Sequence, residues 1–160
     1  MTPPQLRTVQ DFIALLAQSN LKHSFDTQTQ VITLYKSTPP LQGPLTLRWE
    51  KAMPFIQVIQ PMVLGLPEDR IAALESAISR LNHVSTVPGL GLDHTNRFLY
   101  FRYTIRIDAT DGIRADKLDE VMDGAVMNAV EFYRPLHAVI QGESPDKVVE
   151  LAVSQAKAVK

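Results

Sequence analysis

The strongest constraint on the fold is a ten-residue alternation, FLYFRYTIRI, that runs from Phe98 to Ile107. Successive side chains of a strand point to opposite faces, and the odd-numbered positions of this segment are all apolar or aromatic. The segment is therefore predicted to be a strand with one buried face and one polar, partly basic face. The buried positions are predicted to be Leu99, Phe101, Tyr103, Ile105 and Ile107.

The residues after this strand change from a period of two to the period of a helix. A polar turn over residues 108–112 precedes an apolar stripe whose members lie three and four residues apart. The stripe consists of Leu118, Val121, Met122, Ala125, Ala129, Phe132 and Leu136. Pro135 lies within this pattern, so the helix is expected to kink or end near Tyr133.

Earlier segments add further elements. Thr8 and Asp11 form a capping-box pattern before a helix that runs to about residue 20. Strands are predicted over residues 22–26, 31–36, 45–50 and 55–63, and residues 37–44 are predicted to be irregular because of their prolines. Pro61 indicates an edge position or a bulge for its strand. A second helix is predicted to begin at Leu66-Pro67-Glu68-Asp69, and residues 1–7 are predicted to be a loose lead-in.

These elements predict an α+β protein in which helices pack on an antiparallel sheet, in the order α-β-β-β-β-α-β-β-α. With 160 residues and an apolar fraction of 45%, the chain is long enough for a stable core. We assign residues 1–143 to a single α+β domain and residues 144–160 to a C-terminal helical tail that begins at Ser144-Pro145.

Composition excludes several kinds of function. The absence of cysteine removes disulfides, thiolate metal sites and cysteine nucleophiles, and it fits a reducing compartment. A net charge of −1 gives no sign of the positive surface that a phosphate backbone requires. The N-terminus lacks the apolar run of a signal peptide, and no stretch approaches the length of a membrane span. A soluble, cytoplasmic protein is expected.

No pattern indicates catalysis or cofactor binding. Gly89 and Gly91 lead into a strand rather than a helix, so a phosphate-binding loop is not indicated. His83 and His94 could approach each other, but none of the histidines has metal-ligand spacing. A partial calcium-loop pattern at Asp108 lacks its closing glutamate. The acidic stripe of Asp116, Asp119, Glu120 and Asp123 fits a solvated helix face better than a metal site. The chain is therefore expected to be non-enzymatic, with no cofactor and no metal.

Residues 97–103 resemble the aromatic strand of an RNA-recognition motif, in which exposed rings stack on bases. The glycine of that motif and its order of elements are missing. The outer face of the strand nevertheless supplies the candidate partner-binding residues, which are Tyr100, Arg102 and Arg106. Nucleic-acid binding through these residues is the alternative function, although the slightly acidic composition disfavours it.

Four features of the chain occur together: residues 55–66 leading into Leu66-Pro67-Glu68-Asp69-Arg70, the helix end Leu81-Asn82, the hairpin over residues 92–101, and the helix from Asp116. In these features the chain resembles the YbjN-like family of bacterial sensory transduction regulators. The resemblance covers about residues 9–140. The first hairpin, the proline-rich loop over residues 37–44 and the tail from Ser144 depart from the family pattern.

The resemblance implies a fold similar to that of type III secretion chaperones, a homodimer, and no established catalytic residues. Those chaperones bind extended segments of client proteins. The leading hypothesis is therefore a dimeric, chaperone-like or regulatory interaction module that binds an extended peptide by apolar anchors and by strand or helix addition. A likeness at the level of the fold does not by itself establish function.

Overall fold

The computed structural model describes residues 3–50, 53–108 and 110–158, and it confirms the α+β class. Its helices are α1 (Val9–Gln18), α2 (Ile71–Val84), α3 (Ala115–Ile140) and α4 (Pro145–Ala158), and a 3₁₀ turn at Glu68–Arg70 precedes α2. Its strands are β1 (Gln5–Leu6), β2 (His23–Asp26), β3 (Val31–Leu34), β4 (Leu45–Trp49), β5 (Phe55–Val63), β6 (Leu90–Asp93), β7 (Phe98–Arg106) and β8 (Ile113–Arg114).

The main sheet is antiparallel and has six strands in the order β2-β3-β4-β5-β7-β6. β1 and β8 pair separately as a two-stranded ribbon. The order places β2 and β6 at the two edges of the main sheet. All predicted strands and helices are present, so the periodicities of the sequence identified the elements correctly.

The chain divides into two compact units. The first comprises residues 1–38, 44–60 and 102–127, and the second comprises residues 39–43, 61–101 and 128–160. β5, β7 and α3 each contribute residues to both. The largest fully buried side chains of the first unit are Leu6, Phe12, Ile32, Leu47, Ile56 and Leu118, and those of the second are Met62, Leu66, Leu74, Leu81, Leu99 and Phe101.

The two-sided character predicted for residues 98–107 is confirmed. Leu99 and Phe101 have no exposed surface, and Ile107 is also buried, whereas Arg102 and Arg106 are exposed. Tyr103 and Ile105, which were also predicted to be buried, are only half-buried. The Phe101 ring stacks on the Phe132 ring of α3 with their centroids 6.5 Å apart.

The capping box before α1 is also confirmed. The Thr8 hydroxyl accepts a hydrogen bond from the Asp11 backbone N–H, and the Asp11 carboxylate accepts from the backbone N–H groups of Arg7 and Thr8. These contacts satisfy helix-terminal donors that have no partner within the helix. The irregular structure predicted for residues 37–44 is present as well.

Three predictions require correction. β5 lies between β4 and β7, so the edge position expected from Pro61 is wrong. Pro61 is tolerated because the partners of β5 on β4 end at Ile59, and beyond that point Gly43 lies against the proline ring. α3 continues through Pro135 to Ile140, so it does not end near Tyr133. Residues 1–7 are not simply a loose lead-in, because Gln5–Leu6 form β1 and Leu6 is 2% exposed.

Candidate functional site

The two edges of the main sheet differ in how their backbone groups are satisfied. An edge strand presents N–H and C=O groups without a neighbouring strand, and such groups are a template for pairing with another chain. The outward-facing backbone groups of β2 and β6 therefore decide where another chain can be added.

Helix α2 closes the Leu90 end of the β6 edge with one side chain. The Asn82 amide nitrogen donates to the Leu90 carbonyl at 2.8 Å, and its amide oxygen accepts from the N–H groups of Leu90 and Gly89 at 3.0 and 3.1 Å. Both backbone groups of Leu90 thus point away from β7 and already have a partner. Asn82 occupies the place that the next strand would take.

The hydrogen-bonding direction of β2 follows from its pairing with β3. The Tyr35 N–H donates to the Lys22 carbonyl at 2.9 Å, so Lys22 and Tyr35 are a hydrogen-bonded pair. Such pairs alternate along an antiparallel ladder. Since Ser24 is opposite Thr33 and Asp26 is opposite Val31, these residues also face β3. The backbone groups of His23 and Phe25 therefore point outward.

The open part of the β2 edge is limited to these two residues. The next outward residue, Leu21, already has local partners: its N–H donates to the Ser19 hydroxyl at 3.3 Å, and its carbonyl accepts from His23 Nδ1 at 2.9 Å. No hydrogen bond from any residue that the structure describes reaches the backbone N–H or C=O of His23 or Phe25. β2 thus offers two donors and two acceptors to an extended chain.

The side chains of β2 give the open edge a charge pattern. Lys22, Ser24 and Asp26 are exposed on the outer face, and His23 and Phe25 are half-buried on the opposite face. Asp26 Oδ1 accepts hydrogen bonds from the backbone N–H groups of Gln28 and Thr29, and these bonds hold the pKa of Asp26 below its usual range. Lys22 and Asp26 therefore place opposite charges at the two ends of the strand.

A shallow groove lies beside this edge on the outer face of the first unit. Its volume is about 730 Å³, and it lies over β2, β3 and the end of β4. Glu50 is held at the groove by Arg48 Nε at 3.1 Å and by Gln57 Nε2 at 3.2 Å. The groove is lined by Ser24, Asp26, Gln28, Thr29, Gln30, Val31, Thr33, Arg48, Trp49 and Glu50.

The predicted site residues lie on β7, away from the β2 edge. Arg102 and Arg106 are exposed members of the first unit, and neither is within 4.0 Å of a carboxylate in the described chain. Arg106 borders a small cavity of about 380 Å³ with Asp108. Tyr100 belongs to the second unit, where its half-buried ring covers Gly91 on the neighbouring strand.

The other candidate groups have local partners. His94 Nε2 lies 3.1 Å from Glu75 Oε1, and no contact joins it to His83 in the parts described. Asp108 Oδ1 accepts from the N–H groups of Thr110 and Asp111, as expected for a turn. No group of three histidine, aspartate or glutamate side chains in the described ranges is arranged to hold a metal ion.

Within the acidic stripe of α3, Asp116 pairs with Arg114 and Glu120 pairs with Lys117. Burial raises the pKa of Asp119, and the neighbouring carboxylates of Asp123 and Asp116 add to the effect. Two of the four carboxylates of the stripe, those of Asp116 and Glu120, therefore have basic partners nearby.

Sequence reasoning identified the β2–β3 hairpin but not that β2 is an edge, because strand order depends on contacts between distant segments. It also missed the role of Asn82, although the dipeptide Leu81-Asn82 was noted as a helix end. A polar residue at the end of an otherwise apolar helical stripe is the one signal that pointed to it.

The fold and this site define the chain as an α+β protein whose antiparallel sheet has one open edge, at β2, and one edge that Asn82 closes at Leu90. No protein-family model matches the chain, and no curated protein or solved structure is significantly similar to it. None of its described helices has the length and apolar character needed to cross a membrane.

Proposed function

We propose that this protein is a non-enzymatic interaction module that binds an extended peptide segment by strand addition to β2. The observation that carries the proposal is the pair of outward-facing residues, His23 and Phe25, whose backbone groups have no partner in the described chain. In strand addition, backbone hydrogen bonds supply affinity and alternate side chains supply specificity.

The surroundings of β2 support this role. A strand added beside β2 would place alternate side chains next to Ser24 and Asp26, at the rim of the groove. On the other face its side chains would meet His23 and Phe25, which are only half-buried. The homodimeric state, the chaperone-like role suggested by the family resemblance and the cytoplasmic location belong to this same proposal.

The test uses a displayed library of twelve-residue peptides and amide hydrogen exchange. A selected peptide is added to the protein at a concentration where sedimentation shows a monomer, because a second copy could cover the same edge. Exchange of the His23 and Phe25 amides is then followed by mass spectrometry with residue-level fragmentation. Both amides should exchange more slowly with peptide than without it, because each gains a carbonyl partner. Protection at other sites only, or failure to select a binder, would count against strand addition to β2.

Two substitutions sharpen this test. His23→Pro removes an outward-facing donor and leaves the β2–β3 ladder intact, so it should weaken peptide binding about 10-fold. Ser24→Pro removes a donor that faces β3 and should instead lower the stability of the hairpin. Arg102→Ala is the matched control on β7 and should leave peptide affinity unchanged.

A second candidate function is nucleic-acid binding through Arg102 and Arg106. The favouring observation is that both guanidinium groups are exposed and lie beyond 4.0 Å from any described carboxylate. Phosphate contacts make affinity fall steeply with salt. Binding of single-stranded RNA that decreases with salt, and that is lost in Arg102→Ala, would favour this function over the first.

A further inference from the structure

We infer that the open edge of β2 also pairs with β2 of a second copy, antiparallel and with the two-fold axis at Ser24. This inference deepens the proposed function and rests on it, because it assigns a partner to the same edge. It joins the two sheets of a homodimer into one continuous sheet.

The hydrogen-bonding groups of β2 select this register. An antiparallel partner must place outward-facing residues opposite one another. With the axis at Ser24, His23 of each copy is opposite Phe25 of the other, so all four outward-facing residues are paired. Moving the axis to Phe25 would put His23 opposite Thr27, which lies in the hairpin turn. Moving it to His23 would put Phe25 opposite Leu21, whose groups already have partners.

The charges of β2 favour the same register. With the axis at Ser24, Lys22 of each copy is opposite Asp26 of the other, so the interface contains two symmetry-related pairs of opposite charge. These are non-hydrogen-bonded positions, where the side chains of facing strands approach most closely. From its N-terminal to its C-terminal end, an antiparallel partner for this edge must carry a basic, a polar and an acidic residue at alternate positions. Lys22, Ser24 and Asp26 have that order.

The two faces of the joined strands would also match in character. The half-buried His23 and Phe25 rings would meet across the axis on the inner face, and the Ser24 hydroxyls would meet on the outer face. Each Ser24 hydroxyl already lies 3.1 Å from the Tyr35 hydroxyl of its own chain, which keeps it on that face. The second copy is therefore the partner that the edge fits.

Sedimentation of charge-reversal variants tests the inference. The wild-type chain should be a dimer at micromolar concentration. Lys22→Glu makes both residues of each cross-strand contact acidic, and Asp26→Lys makes both of them basic. Each variant alone should therefore dimerise about 30-fold more weakly. An equal mixture of the two variants should form heterodimers, because both cross-strand contacts then join an acidic group to a basic one.

The arrangement in the mixture follows from the register. The Lys22→Glu copy carries acidic groups at both positions 22 and 26, and the Asp26→Lys copy carries basic groups at both. Every contact between the two copies then joins opposite charges, so recovery on mixing excludes a merely structural effect of either substitution. Since Asp26 also accepts hydrogen bonds within its turn, Asp26→Asn is the companion variant. It keeps an oxygen acceptor for the turn, so its thermal stability should equal that of the wild type. It removes the acidic partner of Lys22 without introducing a repulsive charge, so it should weaken the dimer less than Asp26→Lys does.

A monomeric wild-type chain, a dimer unaffected by Lys22→Glu, or variants that do not associate on mixing would each overturn the β2 dimer. A monomer whose His23 and Phe25 amides are protected by a peptide would contradict the β2 dimer but support peptide binding at β2. Heterodimers formed by a protein that binds no peptide would support the β2 dimer but contradict peptide binding.

Discussion

Gly112 shows how one residue position can decide whether a local structure forms. Its φ is +73°, in the left-handed region that side chains other than glycine rarely adopt, and an added Cβ would overlap the Leu6 carbonyl oxygen. The adjoining β8 strand pairs with β1 directly beside this contact. Gly124, in α3, is the opposite case, because a Cβ there would meet no atom within 4 Å.

These two glycines give a matched pair of predictions. Gly112→Ala should lower the free energy of unfolding by about 2–4 kcal/mol, through backbone strain and overlap with β1. Gly124→Ala should raise it by about 0.5–1 kcal/mol, because alanine loses less conformational freedom in a helix. Urea unfolding followed by circular dichroism measures both, and equal effects of the two substitutions would contradict this assignment.

At the scale of elements, the β1–β8 ribbon is the main addition to what the sequence predicted. Leu6 is 2% exposed, and the ribbon extends into α3, where the Ala115 N–H donates to the Pro4 carbonyl at 2.9 Å. β1 therefore holds the N-terminal segment of the chain beside the start of α3.

We expect Leu6→Ala to destabilise the protein by about 2–4 kcal/mol, because it removes a buried side chain from a packed site. Gln5→Ala is the control on the same strand, since Gln5 is exposed. Differential scanning calorimetry would distinguish them. If both variants unfold at the same temperature as the wild type, the ribbon contributes nothing to stability.

A second prediction at this scale concerns the β6 edge, where Asn82 bonds the backbone of Leu90. Asn82→Ala leaves the Leu90 backbone groups without their side-chain partner and should cost about 1–3 kcal/mol of stability. The Leu90 amide should also exchange faster with solvent. Asn20→Ala, at an exposed position, should change stability by less than about 0.5 kcal/mol. Unchanged exchange at Leu90 would show that Asn82 does not protect this edge.

Local patterns predicted most of the fold, because alternation and helical periodicity act over neighbouring residues. The strand predicted over residues 45–50 is present as β4, and Thr8 caps α1 as its pattern predicted. The errors arose where distant segments decide the outcome. Two-residue strands such as β1 leave no periodic signal, and neither the interior position of β5 nor the edge position of β2 follows from its own residues.

At the scale of the whole molecule, several turns share one electrostatic device. Asp11, Asp26, Asp93 and Asp108 each accept hydrogen bonds from backbone N–H groups, and these bonds lower the pKa of all four carboxyl groups. Each hydrogen bond fixes a cap or turn between elements.

The division of the chain into a single α+β domain over residues 1–143 and a separate helical tail stays a prediction.

This device predicts loss of stability in acid. A carboxyl group whose pKa is lowered by folding stabilises the protein above its unfolded value of about 3.9, and that contribution is lost as the pH falls through the folded value. Asp119, whose pKa is raised, acts in the opposite sense. The urea midpoint should therefore be lower at about pH 3 than at about pH 7.

Asp93→Asn keeps an acceptor for the Asn96 N–H but no longer titrates, so it should reduce this difference between the two midpoints. Asp111→Asn is the control, because the Asp111 side chain makes no hydrogen bond or ion pair in the described chain. A midpoint that does not change between the neutral and the acidic condition would contradict the role assigned to the turn carboxylates.

The asymmetry between the two sheet edges also limits how far association can proceed. A chain with two open edges can add copies at both sides and grow into a filament, whereas a chain with one open edge reaches closed two-fold symmetry after a single pairing. In the proposed dimer, Asn82 would oppose pairing at the Leu90 end of the other edge. It would thereby favour a closed pair of copies over a growing filament.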